Sequence, residues 1–252
     1  MKRNTCSNPP IPGRSDCRAF TVPEILAVVA IIIIVMSLLL SALSGSRDPV
    51  YAVVCETNLR QLMIANHAYA NDNLGFLPFP NWGGYGQDLG GGWKGGGWMY
   101  WNKNNVVWDQ DSEWTPDLLD TGLIYKYHNN RQLYRCPKDK APWPMLSGQI
   151  SSYNMNGSAC GYGSNLTFRR SQFRSGDFIM WEVDPFVVQA GWWWDGANHP
   201  DEGISTIWHQ QGGTLVAIDG HCEWMQYGAY AAEKAIGTRN RLWNAPDTAN
   251  GH

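Results

Sequence analysis

Charged side chains are scarce in this chain of 252 residues: they make up 16% of it, and the formal net charge is −3. A nucleic-acid-binding surface is basic, so that class is excluded. Cysteines are few, and none falls in a Cys-x-x-Cys pair, which argues against the common spacing of structural zinc sites. No Gly-x-Ser-x-Gly and no His-Glu-x-x-His is present. With no nucleophile set beside a base, no catalytic residue is assigned and no enzyme is expected. The glycine spacing forms no dinucleotide fingerprint, and no apolar strand precedes the glycine-rich stretch.

One long apolar run is present. Ile25 to Leu43 are 19 residues without charge, with Ser37 and Ser41 the only polar members. A helix of this length nearly spans a hydrocarbon core of about 30 Å. The 19 residues at the N-terminus carry Lys2, Arg3, Arg14 and Arg18 against Asp16, net +3, so with −3 overall the rest carries −6. Positive charge stays in the cytoplasm. The expected topology is therefore a single-pass membrane protein, N-terminus cytoplasmic and C-terminal domain outside the cytoplasm. A cleaved secretory signal is the alternative, since Ser41-Ala42-Leu43-Ser44-Gly45 is small enough to be cut.

The edge of the apolar run holds a lone carboxylate, Glu24, four residues after Phe20. A carboxylate there is costly in lipid, so it needs a purpose. If cutting before Phe20 frees its amine, that amine can pair with Glu24 of a neighbouring subunit. The stretch Phe20-Thr21-Val22-Pro23-Glu24-Ile25-Leu26 resembles the start of type IV pilins and type II secretion pseudopilins. The resemblance implies cleavage by a prepilin peptidase between Ala19 and Phe20, methylation of Phe20, and assembly through Glu24. Two positions depart from the family pattern: Ala19 stands where Gly is usual, and Pro23 where a hydrophobe is usual. Proline in a first helical turn is tolerated, because its missing N–H would be unpaired there anyway.

After Gly45-Ser46-Arg47-Asp48-Pro49 breaks the run, Val54, Leu59, Leu62, Met63, Asn66 and Ala70 recur at helical spacing. They predict an amphipathic helix over 51–70, ended by Asn71-Asp72-Asn73-Leu74-Gly75. His67 on it is expected to be a partly buried structural histidine. Later, Leu133 to Asp139 and Ser152 to Asn156 resemble, in the same order, short motifs of a pseudopilin-like family whose C-terminus carries a His, nine residues, then Asp-Gly. Here those positions are His209, Asp219 and Gly220. The runs 177–183, 214–218 and 221–225 have strand composition. Asp219-Gly220 between the last two predicts a β-hairpin, with both turn residues at positive φ. Asp117 to Tyr127 reads as a short helix, capped by Thr115 with Pro116 first.

The chain has 27 Gly and 14 Trp, and every Trp lies between Trp82 and Trp243. The Trp excess fits a loop-rich fold held by aromatic packing; the alternative is a surface that stacks on sugars. The loop from Trp82 to Trp101 offers Trp93, Trp98, Tyr100 and Trp101 as glycan platforms, and Trp193 offers another. Of six cysteines, Cys6 and Cys17 leave with the leader, and Cys55, Cys136, Cys160 and Cys222 stay. Cys136 is read as a structural cysteine, with a disulfide to Cys55 or to Cys160 both open. His209 and Asp219 are read as structural, with two metal sets beside that reading. One is His209, Asp219 and His221. The other is Asp195, Asp201 and Glu202, an oxygen set for calcium; the resemblance favours it, because major pseudopilins bind calcium in a C-terminal loop.

The expected fold is α+β and pilin-like: a leader (1–19), a transmembrane assembly helix (20–44) and an extracytoplasmic domain (45–252) with a long helix on a small antiparallel sheet and long Gly/Trp-rich loops. The expected role is a pseudopilin- or pilin-like subunit. Its partners would be prepilin peptidase, other pseudopilins or further copies of itself, and membrane lipid. The alternative is a membrane-anchored carbohydrate-binding module.

Overall fold

The computed structural model describes residues 21–45, 47–81, 96–101, 116–140, 150–162, 167–183 and 196–252. The chain divides into two compact units, Met1–Ser46 and Arg47–His252. In the first, helix α1 (Val22–Gly45) has 24 residues and is long and apolar enough to cross a membrane. At 1.5 Å per residue it is about 36 Å long. Its apolar side chains from Val22 to Leu39 are exposed all round. Glu24 is its only charged residue. The Ser37 hydroxyl donates to the Ile34 carbonyl at 2.7 Å, so this polar group is satisfied inside the helix.

The second unit is an α+β domain. Helix α2 (Arg47–Asp72) buries Cys55, Asn58, Leu59, Leu62, Met63, Ala65, Asn66 and Ala70 along one stripe. The predicted face is thus rotated slightly at its start: Val54 is 37% exposed, and Cys55 takes its place in the core. The helix ends where its turn chemistry predicts. Leu74 and Gly75 both adopt positive φ, and the Gly75 N–H donates back to the Ala70 carbonyl at 2.7 Å.

The sheet has five strands in the order β3-β1-β2-β4-β5. They are β1 (Tyr153–Asn156), β2 (Phe178–Glu182), β3 (Ala197–Asn198), β4 (Gly212–Ala217) and β5 (Cys222–Gln226). The expected all-antiparallel sheet is corrected at one edge, where β3 runs parallel to β1. Alternation sorts the side chains. Leu215 and Ala217 join Phe178, Trp181 and Val183 in one core, which Tyr230 of helix α3 (Tyr227–Lys234) closes. Val216, Ile218 and Met180 point the other way, into the core under α2. With both faces covered, β1, β2 and β4 are buried throughout. Of the five strands, only edge strand β5 has exposed positions, Trp224 and Gln226.

The hairpin of β4 and β5 forms as predicted, but with a different turn. Gly220 alone takes positive φ, at 88°, while Asp219 does not. The Gly220 N–H donates to the Ala217 carbonyl, and the Ala217 N–H to that of His221. This is a three-residue loop with glycine at the left-handed position, not a two-residue turn. The helix expected over 117–127 is likewise two 3-10 turns, Pro116–Thr121 and Tyr125–Tyr127. Gly122 between them sits so close to the main chain that a Cβ there would lie 2.5 Å from the Met99 carbonyl oxygen. Thr115 lies outside the described residues.

Among the described residues, three tryptophans pack inside the domain and bond the main chain. Trp98 and Trp181 are fully buried, and Trp243 is nearly so. Each donates its ring N–H to a main-chain carbonyl, of Gly196, Gly203 and Lys234 respectively. Trp98 also stacks on Tyr134. If the α2 stripe is the domain's core, Leu62→Ala costs about 2–5 kcal/mol. Ile64→Ala, at a position 60% exposed two residues on, stays within about 0.5 kcal/mol. Urea unfolding of the full chain in detergent, followed by Trp fluorescence, checks both values.

Candidate functional site

Two places carry chemistry. The first is the start of α1. Ala19 and Phe20 lie outside the described residues. Thr21 stands just before the helix, and Glu24 is the third residue in. The Thr21 N–H and hydroxyl both donate to Glu24 Oε2, at 2.7 and 2.8 Å. That is the reach-back half of a capping box, a role for this carboxylate that the assembly reading missed although Thr-x-x-Glu was legible. Among the described residues nothing bonds Oε1.

The second place is assembled from distant parts of the chain. His209 and Asp219 do not meet. Strand β4 lies between them, and six residues of strand span about 20 Å. His209 is 2% exposed and enters the core at one end of β4. Asp219 and His221 pair with each other at 2.6 Å in the exposed turn at the other end. A metal site of His209, Asp219 and His221 is therefore excluded by geometry. The nine-residue spacing measures a strand and its flanking turns.

His209 instead joins Cys55 of α2, Cys136 and Glu182 of β2. One ligating atom from each lies within 4.8 Å of the others, and all four residues are buried. His209 Nε2 lies 3.1 Å from Glu182 Oε1 and 3.4 Å from Cys136 Sγ. The other Glu182 oxygen accepts from the Thr214 N–H at 2.7 Å. Cys136 is held by its own N–H, which donates to Ser152 Oγ at 2.9 Å, while the Ser152 hydroxyl donates to Asp139 at 2.6 Å. Local strain places His209. It opens a tight turn to Gly212 in which Gln210 and Gln211 both take positive φ, 51° and 62°. Two such non-glycine residues cost about 1–3 kcal/mol each. The Trp224 ring N–H fastens the His209 carbonyl at 3.1 Å.

The electrostatics are coupled. Burial pulls His209 down most strongly, but its bonds to Cys136 and Glu182 together lift it to about 9. The Cys55 thiol bonds Cys136 and holds it down to about 7, while the same bond and then burial push Cys55 up. The arrangement is not that of a catalytic triad. There a carboxylate orients one ring nitrogen so that the other takes the nucleophile's proton. Here thiol and carboxylate both approach Nε2, and Nδ1 is buried without a partner among the described residues. A small apolar recess of about 170 Å³ lies beside the ring, lined by Pro49, Ala52, His209, Gln210 and Trp224.

The other sequence-based sites fall elsewhere. The four described cysteines stand as free thiols in this structure, with neither expected disulfide of Cys136, to Cys55 or to Cys160, formed. Cys136 does lie against Cys55, whereas Cys160 turns its Sγ to the Gly157 carbonyl at 3.3 Å. Of the calcium set, Asp195 lies outside the described residues. The Asp201 carboxylate approaches Lys234 and His199, and Glu202 accepts from the His199 N–H. These two carboxylates already have partners. Trp93 and Trp193 lie outside the described residues, and Trp98 and Tyr100 are fully buried, which rules these last two out as sugar platforms. Glu182 went unremarked in the sequence. Its one signal was a carboxylate in the otherwise apolar run Phe178-Ile-Met-Trp-Glu-Val183.

No protein-family model, curated protein or solved structure matches the chain.

A buried charge with its partners cannot be stripped of one of them cheaply. His209→Ala leaves the Glu182 carboxylate without its ring partner and costs about 3–5 kcal/mol. His221→Ala, at the far end of β4, stays near zero. Denaturation midpoints of the two variants against the parent chain test this difference.

Proposed function

We propose that the chain is a pilin- or pseudopilin-like subunit, held in the inner membrane and assembling through its N-terminal helix. One observation carries this reading: a 24-residue apolar helix, exposed on every side from Val22 to Leu39, whose only charge is a carboxylate at its very start. Such a surface needs lipid or other apolar helices around it. Capping occupies Oε2 of Glu24 and, among the described residues, leaves Oε1 for a cation. The amine that cleavage before Phe20 would create in a neighbouring subunit is such a cation, and it would reach the carboxylate at the same depth. The basic leader orients the helix, so the α+β domain lies outside the cytoplasm. Prepilin peptidase, further copies or related pseudopilins, and lipid are the partners; type II secretion or a type IV pilus-like system is the setting. The role is assembly rather than catalysis.

The intact mass of the membrane-extracted chain tests the first step. Loss of residues 1–19 with one added methyl is expected; a retained leader, or a cut near Ser44, defeats the reading. Glu24→Ala tests the second. Membrane insertion should persist, while cross-linked multimers fall roughly tenfold, the equivalent of about 1.4 kcal/mol of lost pairing.

A further inference from the structure

We infer that Cys55, Cys136, Glu182 and His209 form a tetrahedral site for a divalent transition-metal ion, zinc foremost, that ties helix α2 to the sheet.

The donor set is the first ground. Two thiols, an imidazole and a carboxylate meet within 4.8 Å, each from a different part of the fold. This mixture of sulfur, nitrogen and oxygen suits zinc and its softer neighbours and disfavours calcium or magnesium, which take oxygen. The calcium set read from the sequence, Asp195, Asp201 and Glu202, shares no residue with it.

The spacing is the second. Zinc bonds run about 2.3 Å to sulfur, 2.0–2.1 Å to nitrogen and 2.0–2.2 Å to carboxylate oxygen. Tetrahedral angles then put a sulfur about 3.6 Å from the nitrogen, and the nitrogen about 3.4 Å from the oxygen. The observed separations are 3.4 Å for Cys136 Sγ to His209 Nε2 and 3.1 Å for His209 Nε2 to Glu182 Oε1. Two edges of the cage are thus already close to the lengths an ion would set, and the rest lie within 4.8 Å. It also explains the feature that defeats a triad, since thiol and carboxylate crowd the one nitrogen that a shared metal would bind.

The third ground is charge. Glu182 is wholly buried, no lysine or arginine bonds it among the described residues, and its one cationic partner there is the His209 ring when protonated, whose place zinc would take. A buried carboxylate needs a cation. Zinc supplies two positive charges against the carboxylate and two thiolates; the displaced thiol protons pass to solvent, and His209 binds as the neutral ring.

Outer contacts hold the ligands in place. The Thr214 N–H fixes the second Glu182 oxygen, and Ser152, itself bonded to Asp139, fixes the Cys136 main chain. Among the described residues, His209 has no acceptor on Nδ1 such as metal-bound histidines usually have. The strained turn at Gln210 and Gln211 and the Trp224 bond to its carbonyl orient it instead.

The test uses the full chain, extracted in detergent without chelator, loaded with zinc and dialysed. Elemental analysis should find about one zinc per chain. Cys55→Ala and Cys136→Ala should each lose at least nine-tenths of it, whereas Cys160→Ala, a buried cysteine outside the cluster, should keep it. Cobalt(II) loaded into the unmutated chain should give the intense visible bands and thiolate charge transfer of a tetrahedral sulfur-ligated site, a readout that does not depend on any variant folding. The inference is overturned if the parent chain retains no zinc. It is equally overturned if unreduced peptides from the membrane-extracted chain show Cys55 bonded to Cys136, or if metal content is the same in the Cys136→Ala chain.

Discussion

The domain is organised around a carboxylate in the wrong place by the usual rules of burial. Glu182 occupies the middle strand of the sheet, on the face that α2 covers, where its neighbours Met180 and Val216 are apolar. An ionised group there is tolerated only if every oxygen finds a partner. One oxygen takes the Thr214 N–H from β4 and the other takes the His209 ring, so the carboxylate cross-links β2 to the strand beside it and to the turn before it. Cys136 and Cys55 complete the ring of contacts and bring in the segment after the 3-10 turn at Arg131–Tyr134 and the first half of α2. Four stretches far apart in sequence are thereby fixed to one point.

That point lies at one end of a matched pair of elements. Cys55 to His67 climbs about 18 Å along α2, close to the length of β4 alongside it. Cys55 meets His209 before β4, and the His67 ring lies beside the Ile218 main chain just after it. Between these ends Leu59, Leu62, Met63 and Ala65 fill the core. The apolar stripe supplies the bulk of the adhesion, because burial is non-directional and scales with area. The polar cluster supplies what burial cannot: a defined register of helix on strand.

What the sequence made legible follows from range. Local chemistry was readable. The apolar run, the turn ending α2 and the Asp219-Gly220 hairpin all depend on neighbours within a few residues. The errors within those elements were also local contests. A three-residue loop with glycine at its left-handed position serves the hairpin as well as a two-residue turn would, and Gly122, packed on the Met99 carbonyl, cuts a predicted helix into two. Long-range chemistry was not readable. Cys55, Cys136, Glu182 and His209 have no motif spacing, because the fold and not the chain brings them together. The fate of Trp98 and Tyr100 was equally hidden. Aromatic residues next to glycines suit a sugar platform and a core equally well until the partners, here Gly196 and Tyr134, are known.

The His-x9-Asp-Gly spacing draws both kinds of information into one pattern. Read as a site, it fails, since its ends are separated by the length of β4. Read as a ruler, it makes sense of each position. Asp219 accepts the His221 N–H and Gly220 supplies the positive φ that ends the strand, which fixes where β4 stops. Side chains along β4 alternate between two buried faces, so counting back from that turn decides which face each residue meets. An added or missing residue in β4 would exchange Val216 and Leu215 between cores. It would also displace the strained turn that delivers His209 to Glu182. The spacing is therefore a constraint on register, and its consequence is felt at the buried carboxylate rather than at the turn where the motif ends.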